Sequence, residues 1–225
     1  MVERALIVGA GQGLSAALCR RFRREGLAVG LAARDIAKLD GLGDWRWGVE
    51  ASDFASVADL FRAADDQFGV PDVVVYNASA RLRGPTLELD PAEVKRALEV
   101  TAYGGLLVAQ QALRRMLEAG AGTLLFTGAS ASVKGYPGSA PFAMGKFALR
   151  GLAESLAREF HPQNIHVAHV VIDGAIRNPG RGEPADAPDS LLDPDAVAET
   201  YWQLVRQPRS AWTVEQAVRP WVERF

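Results

Sequence analysis

The stretch VGAGQGLS, residues 8–15, decides the fold of this chain. An apolar run at 5–8 precedes it, and a helical pattern that places Leu18 and Phe22 on one face follows it. Glycines in such a strand-to-helix turn let the backbone approach an anion, whose charge the helix N-terminus stabilises. The pattern predicts a phosphate-binding turn. The alternative is that the glycines only close a tight turn.

The bulk composition excludes several classes of protein. The chain has 225 residues, 48% hydrophobic and 23% charged, which is typical of a globular domain. A formal net charge of −2 provides no broad basic field for nucleic acid or an anionic membrane. No apolar run approaches the roughly 20 residues of a spanning helix, and nothing resembles a signal peptide. Since Cys19 is the only cysteine, we predict a cytoplasmic protein with no nucleic-acid or membrane partner.

Strand and helix patterns alternate along the whole chain. Apolar runs that predict strands lie at 5–8, 28–33, 45–49, 72–76, 123–127, 165–172 and 212–218. Helical patterns follow residues 13 and 35 and occupy 54–68, 91–119, 141–160 and 194–205, while 173–190 reads as a mobile loop. Repeated β-α-β units imply a parallel sheet covered on both faces. The sequence therefore predicts an α/β, Rossmann-type doubly wound parallel sheet of about seven strands, as one domain over 1–225.

The carboxyl ends of the predicted strands carry the residues of interest. Ligands of doubly wound sheets bind there, where the strand order reverses. The turn 9–15, Arg34, Asn77, Ala129 and Gly174 all fall at such ends. This common placement favours a nucleotide site.

Three motifs resemble the short-chain dehydrogenase/reductase family across nearly the whole chain. They are the turn 9–13, NAS at 77–79 and FAMGK at 142–146. The family shows Thr-Gly-x-x-x-Gly-x-Gly, Asn-Ala-Gly and Tyr-x-x-x-Lys at these places. Val8 and Ser15 replace the threonine and the last glycine of the first motif.

The resemblance implies a nicotinamide cofactor and the residues that hold it. In the family, an acidic residue after the second strand binds the adenosine ribose and repels a 2′-phosphate. This chain has Ala33 there and then Arg34, whose guanidinium matches a phosphate; a solvated loop cation is the alternative. NADP(H) is thus preferred and NAD(H) is possible. The expected cofactor-binding residues are Gly9, Gly11, Gln12, Gly13, Leu14, Arg34, Glu50, Ala51, Asn77, Ala78, Lys146, Gly174 and Ile176.

The resemblance fails at the chemical centre. The family uses a tyrosine as acid/base, a lysine that lowers its pKa, a serine that orients the substrate, and an asparagine. Lys146 is present, but Phe142 stands at the tyrosine position and Ala129 at the serine position. Thr101 stands at the asparagine position. The candidate catalytic residues are therefore Lys146, Thr101 and Ser130, the neighbour of Ala129.

Each of these candidates has an alternative. Lys146 could be an exposed helix lysine, and Asn77 could be a strand-end cap. The ring of Phe142 is expected to pack over the nicotinamide. Tyr136, six residues earlier, could supply a phenol from another direction.

Two functions remain open. The leading hypothesis is an NADP(H)-dependent oxidoreductase of the short-chain type, with an atypical site, acting on a small carbonyl or alcohol. The alternative is a catalytically silent NADP(H)-binding sensor or scaffold. The three histidines have no ligand companions, so no metal site is expected. A homodimer or homotetramer on the long helices and the closing strand is expected, with a partner surface suggested by Trp202, Trp212, Trp221 and Phe225.

Overall fold

A computed structural model describes residues 3–223. Within them, seven strands form one sheet: β1 (Arg4–Val8), β2 (Ala28–Ala33), β3 (Trp45–Gly48), β4 (Val73–Tyr76), β5 (Gly122–Thr127), β6 (Ile165–Ile172) and β7 (Glu215–Val218). All neighbours pair in parallel, in the order β3-β2-β1-β4-β5-β6-β7. The strand order reverses between β1 and β4. This confirms the predicted doubly wound sheet and its strand number.

Helices cover both faces of the sheet. They are α1 (Leu14–Arg24), α2 (Phe54–Gln67), α3 (Pro91–Leu98), α4 (Gly104–Ala119), α5 (Ala140–Phe160) and α6 (Pro194–Val205). One apolar core joins α2, α4 and α5 to the sheet, and a second core joins α1 and α6 to its other face. Asp53, Asp90 and Asp193 cap α2, α3 and α6 through their carboxylates. No helix within 3–223 is both long enough and apolar enough to cross a bilayer.

The helix predicted over 91–119 contains an irregular turn. A single π-helical turn, Glu99–Tyr103, joins α3 to α4. The Tyr76 hydroxyl donates a hydrogen bond to the carbonyl oxygen of Val100, within this turn. A side chain that competes for a helical carbonyl is a known cause of such local irregularity. Because Tyr76 belongs to β4, the apolar periodicity of residues 91–119 could not indicate the irregular turn.

Two further boundaries differ from prediction. After β2 only a short 3₁₀ turn forms, Ile36–Leu39. The closing strand begins at Glu215 and not at Trp212, whose ring stacks 4.9 Å from that of His166 and whose indole N–H donates to the Gln207 carbonyl.

The glycine turn contacts the segment that follows β4, at the point where the strand order reverses. Gly9 has a φ of +84°, and a Cβ there would lie 2.2 Å from the backbone nitrogen of Ala78. Gly11 has no positive φ, and a Cβ there would meet no atom within 4 Å. Of these two glycines the fold itself therefore requires only Gly9, and the space above Gly11 is open.

We expect Gly9→Ala to destabilise the chain by on the order of 3 kcal/mol, because left-handed strain alone costs roughly 1–3 kcal/mol and the contact with Ala78 adds to it. Gly11→Ala, the matched control, should leave the free energy of unfolding unchanged or slightly raised. Urea unfolding measures both values. Equal stability of the two variants would contradict this account of the turn.

Candidate functional site

A cavity of about 250 Å³ lies at the carboxyl edge of β1, β2, β3 and β4. It brings together six of the predicted cofactor residues: Gly9, Arg34, Glu50, Ala51, Asn77 and Ala78. These residues come from four separate strand ends. Their proximity follows from the parallel topology, because carboxyl ends of parallel strands share one edge.

Asn77 ties the end of β4 to the glycine turn. Its side-chain nitrogen donates to the Gly9 carbonyl oxygen at 3.1 Å and to the Ser15 hydroxyl at 3.0 Å. The serine that replaces the last motif glycine is therefore a hydrogen-bond partner. Asn77 acts as the strand-end tie that the sequence left as an alternative, and it lines the cavity as well.

The N-terminus of α1 suits a phosphate. No side chain of the described residues caps it, in contrast to the aspartate caps of α2, α3 and α6. Above the turn, Gly11 faces open space, and a Cβ on Gly13 would come no closer than 3.8 Å, to Asn178. The Gln12 side chain turns away and donates to the Lys38 carbonyl oxygen. An uncapped N-terminus with room above it fits a pyrophosphate.

Arg34 stands at the edge of this cavity with its side chain exposed. Within residues 3–223 its guanidinium has no hydrogen-bond or ion-pair partner. Its neighbour Lys38, by contrast, is paired with Asp35 at 3.4 Å. A guanidinium that the fold does not use internally remains available to a ligand phosphate.

A second cavity, of about 270 Å³, continues from Asn77 towards β5, β6 and α5. The remaining candidates meet there. The residues predicted from the sequence that line it are Leu14, Asn77, Ala129, Ser130, Phe142, Lys146, Gly174 and Ile176. Ser130, Phe142 and Lys146 are therefore brought to one cavity.

Lys146 is buried, with 3% of the residue exposed. Its ammonium nitrogen donates to the Thr127 carbonyl oxygen at 2.7 Å. Loss of solvent around the charge lowers the pKa of Lys146 from 10.5 to about 7. The alternative of an exposed helix lysine is wrong. At neutral pH this amine exchanges protons readily, as an acid/base group requires.

Phe142 offers the cavity a ring and no exchangeable proton. It is buried, and the Lys146 nitrogen lies 5.9 Å from its ring centroid. A second basic side chain contacts the same ring: the guanidinium carbon of Arg81 lies 5.4 Å from the ring centroid. A cation–π contact of this kind positions an arginine without neutralising it.

A buried chain of hydrogen bonds holds the turn that carries Ser130. The Ala129 amide donates to the Ser132 hydroxyl at 3.1 Å, and this hydroxyl lies 3.3 Å from Nε2 of His169. Nδ1 of His169 in turn lies 3.0 Å from a Glu215 carboxylate oxygen. Ser132 and His169 are fully buried and do not line the cavity. They position the turn, while Ser130 faces the site.

Thr101, a candidate catalytic residue, and Tyr136, the alternative source of a phenol, do not line the second cavity. Thr101 is 1% exposed, and its hydroxyl accepts a hydrogen bond from the Ala80 amide at 3.1 Å. It therefore holds the loop after β4 and does not line the cavity. Tyr136 is 41% exposed and is also absent from the lining, so its phenol does not reach the site in this structure.

The sequence interpretation missed Arg81 and the Ser132–His169–Glu215 chain. Arg81 lies two residues after the NAS motif, and a second basic residue, Arg83, two positions later was a usable signal. The hydrogen-bonded chain left no local signal, because its members come from three distant segments.

The C-terminal aromatic residues do not form one exposed cluster. Trp202 packs against Phe22, and Trp212 stacks on His166, so both are engaged within the chain. Trp221 is 75% exposed. Phe225 lies outside the described residues. The suggested partner surface loses two of its four members. In 3–223 no group of three His, Cys, Asp or Glu side chains could hold a metal ion.

The chain is similar to known proteins along most of its length. A family model described as "short chain dehydrogenase" matches residues 3–181. A protein of Escherichia coli strain K12, described as a cyclic-di-GMP-binding biofilm dispersal mediator protein, is 32% identical over 199 residues. That match covers 83% of this chain and 80% of the relative.

Solved structures have the same architecture. A short-chain dehydrogenase from Rhodopseudomonas palustris is 34% identical, with a TM-score of 0.84 over 97% of this chain and 99% of that chain. An alcohol dehydrogenase from the archaeon Thermococcus sibiricus, complexed with 5-hydroxy-NADP, has a TM-score of 0.88 at 24% identity. The match covers 100% of this chain and 99% of the alcohol dehydrogenase. At 24% identity the similarity concerns the fold alone.

Burial of Lys146 should make stability depend on pH. Between pH 7 and 10.5 the unfolded lysine is protonated and the folded one is neutral, so the unfolded state binds more protons and stability rises with pH. Relative to Lys146→Met, the wild-type free energy of unfolding should rise by on the order of 4 kcal/mol across this range. Urea unfolding at several pH values measures it. Lys95→Met, at an exposed lysine, is the control; a pH-independent difference for Lys146→Met would contradict the shifted pKa.

Proposed function

The chain belongs to the short-chain dehydrogenase family, and from that premise we propose that it is an NADP(H)-dependent oxidoreductase for a small carbonyl or alcohol. The observation that carries the proposal is the guanidinium of Arg34, which has no partner among residues 3–223 and lies at the cavity edge with Glu50 and Asn77. It supplies a binding group for a 2′-phosphate where an acidic residue would repel one. The uncapped N-terminus of α1 supports the adjoining pyrophosphate site.

The side chains and glycines that line the second cavity would have separate roles in this reaction. When bound, NADPH supplies a hydride from its nicotinamide. Lys146, buried beside Phe142, would bind the nicotinamide ribose and hold a proton near neutral pH. Ser130 lines the same cavity and would orient the substrate oxygen. Gly174 and Ile176, also in the lining, would contact the nicotinamide amide.

Proton transfer is the weak point of this site. Phe142, at the family's tyrosine position, has no hydroxyl, and neither has Ala129, at the family's serine position. We propose that the Ser130 hydroxyl, or a water held by Lys146, exchanges the proton. General acid/base assistance is worth roughly 10²–10⁴-fold, so this site would react slowly without the tyrosine.

A second candidate is a catalytically silent NADP(H)-binding sensor or scaffold. Phe142 and Ala129 favour it, because both replace hydroxyl-bearing residues of the family. The relative from Escherichia coli strain K12 also favours it, since its description names a bound nucleotide and a mediator role and no reaction. The two candidates share Arg34 and Lys146 and differ in whether a substrate turns over.

We further propose that two or four copies of the chain assemble. The support is an apolar groove of about 300 Å³ between α4 and α5, lined by Leu106, Leu113, Leu117, Leu156 and Phe160 among others. A second copy of the same helices fits such a surface by two-fold symmetry. The cytoplasmic location stays a prediction from the sequence.

We expect NADPH to bind more tightly than NADH, and Arg34→Ala to lower NADPH affinity about 10- to 100-fold with little effect on NADH. A hydrogen-bonded charge of this kind contributes roughly 1.5–3 kcal/mol. Fluorescence titration of both cofactors measures the effect. Arg24→Ala, at an exposed arginine in the last turn of α1, is the matched control. Equal wild-type affinities would refute the NADP(H) assignment.

We expect Phe142→Tyr to raise NADPH-dependent carbonyl reduction by about 10²–10⁴-fold, because it places a hydroxyl beside the buried Lys146. NADPH oxidation with a panel of small aldehydes and ketones measures the rate. Phe142→Leu, which removes the ring without adding a hydroxyl, should show no gain. If Phe142→Tyr also shows none across the panel, the silent binding protein becomes the better assignment.

A further inference from the structure

The cavity beside Lys146 carries charge of one sign only. Of the thirteen described residues that line it, Arg81 and Lys146 are the ones with a basic or acidic side chain, and both are basic. Lys146 already donates to the Thr127 carbonyl oxygen and lies deep in the fold. Arg81 is exposed at the mouth. An incoming molecule therefore meets a positive charge at the entrance and no acidic group in the lining.

The ring of Phe142 holds Arg81 in place. The guanidinium carbon stands 5.4 Å from the ring centroid, and within 3–223 the guanidinium makes no hydrogen bond or ion pair, so its N–H groups can bind a ligand. Phe142 occupies the position of the family's reacting hydroxyl. The guanidinium therefore lies beside the place where the proposed function puts the substrate.

Two further guanidinium groups strengthen the positive field. Partial burial lowers the pKa of Arg81, and the charges of Arg83 and Arg181 lower it further. Within 3–223 none of these three side chains is paired with an acid. By contrast, Arg177, four residues before Arg181, is paired with Glu183 at 3.2 Å. The loop that carries Arg181 therefore contains an acidic residue, but that residue pairs with Arg177 and not with Arg181.

Like charges without acid partners repel one another, and an anion placed among them removes that cost. We propose that the site takes an anionic substrate, a small carbonyl compound bearing a carboxylate or a phosphate, whose charge Arg81 binds beside Phe142. Arg83 and Arg181 attract the anion to the mouth. This inference rests on the proposed function, because it names the substrate class of the same site.

In the proposed complex the phosphates of the cofactor bind at a different place from the substrate anion. They belong to the turn 9–13 and to Arg34, on the far side of Asn77, which lines both cavities. Arg181 borders a neighbouring cavity together with Gly13, close to the pyrophosphate turn. Arg81 also shares a surface cavity with Arg34. Arg81 is therefore the residue to vary, and NADPH affinity must be measured beside substrate affinity.

Matched pairs of compounds test the charge directly. Acetoacetate is compared with its ethyl ester, and dihydroxyacetone phosphate with dihydroxyacetone, by calorimetric titration of the protein with and without NADP⁺. The anionic member of at least one pair should bind 10-fold more tightly or better, and the pair that does so identifies the anion as carboxylate or phosphate. Arg81→Gln should abolish the difference, and Arg81→Lys should keep part of it. Arg24→Gln should change nothing.

NADPH affinity should stay within about twofold in Arg81→Gln, which separates substrate from cofactor. Equal affinities within both pairs, or no binding of any of the four compounds, overturn the anion site. So does an Arg81→Gln variant that weakens NADPH as much as the anion. A chain that binds the anions through Arg81 but does not bind NADPH overturns the oxidoreductase function and leaves the anion site standing.

Discussion

The contact between the glycine turn and the end of β4 is the constraint on which the site depends. Gly9 adopts a left-handed conformation, and the Ala78 backbone passes where a side chain would stand, so both the backbone and the space favour glycine. Asn77 then bridges the Gly9 carbonyl and the Ser15 hydroxyl. These contacts hold two strand ends together where the strand order reverses. The cleft for a nucleotide opens at that point because neighbouring connections leave to opposite faces.

The second half of the cleft is lined by two basic side chains, Arg81 and Lys146, and by no acidic one among the described residues. Lys146 keeps its place against the Thr127 carbonyl although Phe142 offers no hydroxyl to pair with it. Desolvation favours the neutral amine, while Arg81 stays charged at the mouth. One cavity thus holds a group able to exchange protons at neutral pH and a permanent cation. This combination suits an anionic substrate in a slow reductase and also suits a binding protein.

Local features of the chain were predictable because their causes are local. Apolar runs marked all seven strands within a few residues, and the Asp-Pro pairs before α3 and α6 marked helix starts whose carboxylates do cap the first turn. Features that depend on distant partners were missed. The π turn at Glu99–Tyr103 involves Tyr76 from β4, and Trp212 leaves the closing strand to stack on His166.

By itself, the sequence determined the doubly wound sheet and the shared sheet edge at which Gly9, Arg34 and Asn77 line one cavity, the proposed cofactor half of the site. Motif residues there lie at strand ends, and parallel pairing alone brings strand ends to one edge. Only the tertiary structure decided the arrangement of the proposed catalytic half. It buried Lys146, placed Ser130 in the cavity, turned Thr101 to the Ala80 amide and set Arg81 over Phe142. Such roles depend on packing between segments far apart in the chain, which spacing along the sequence does not encode.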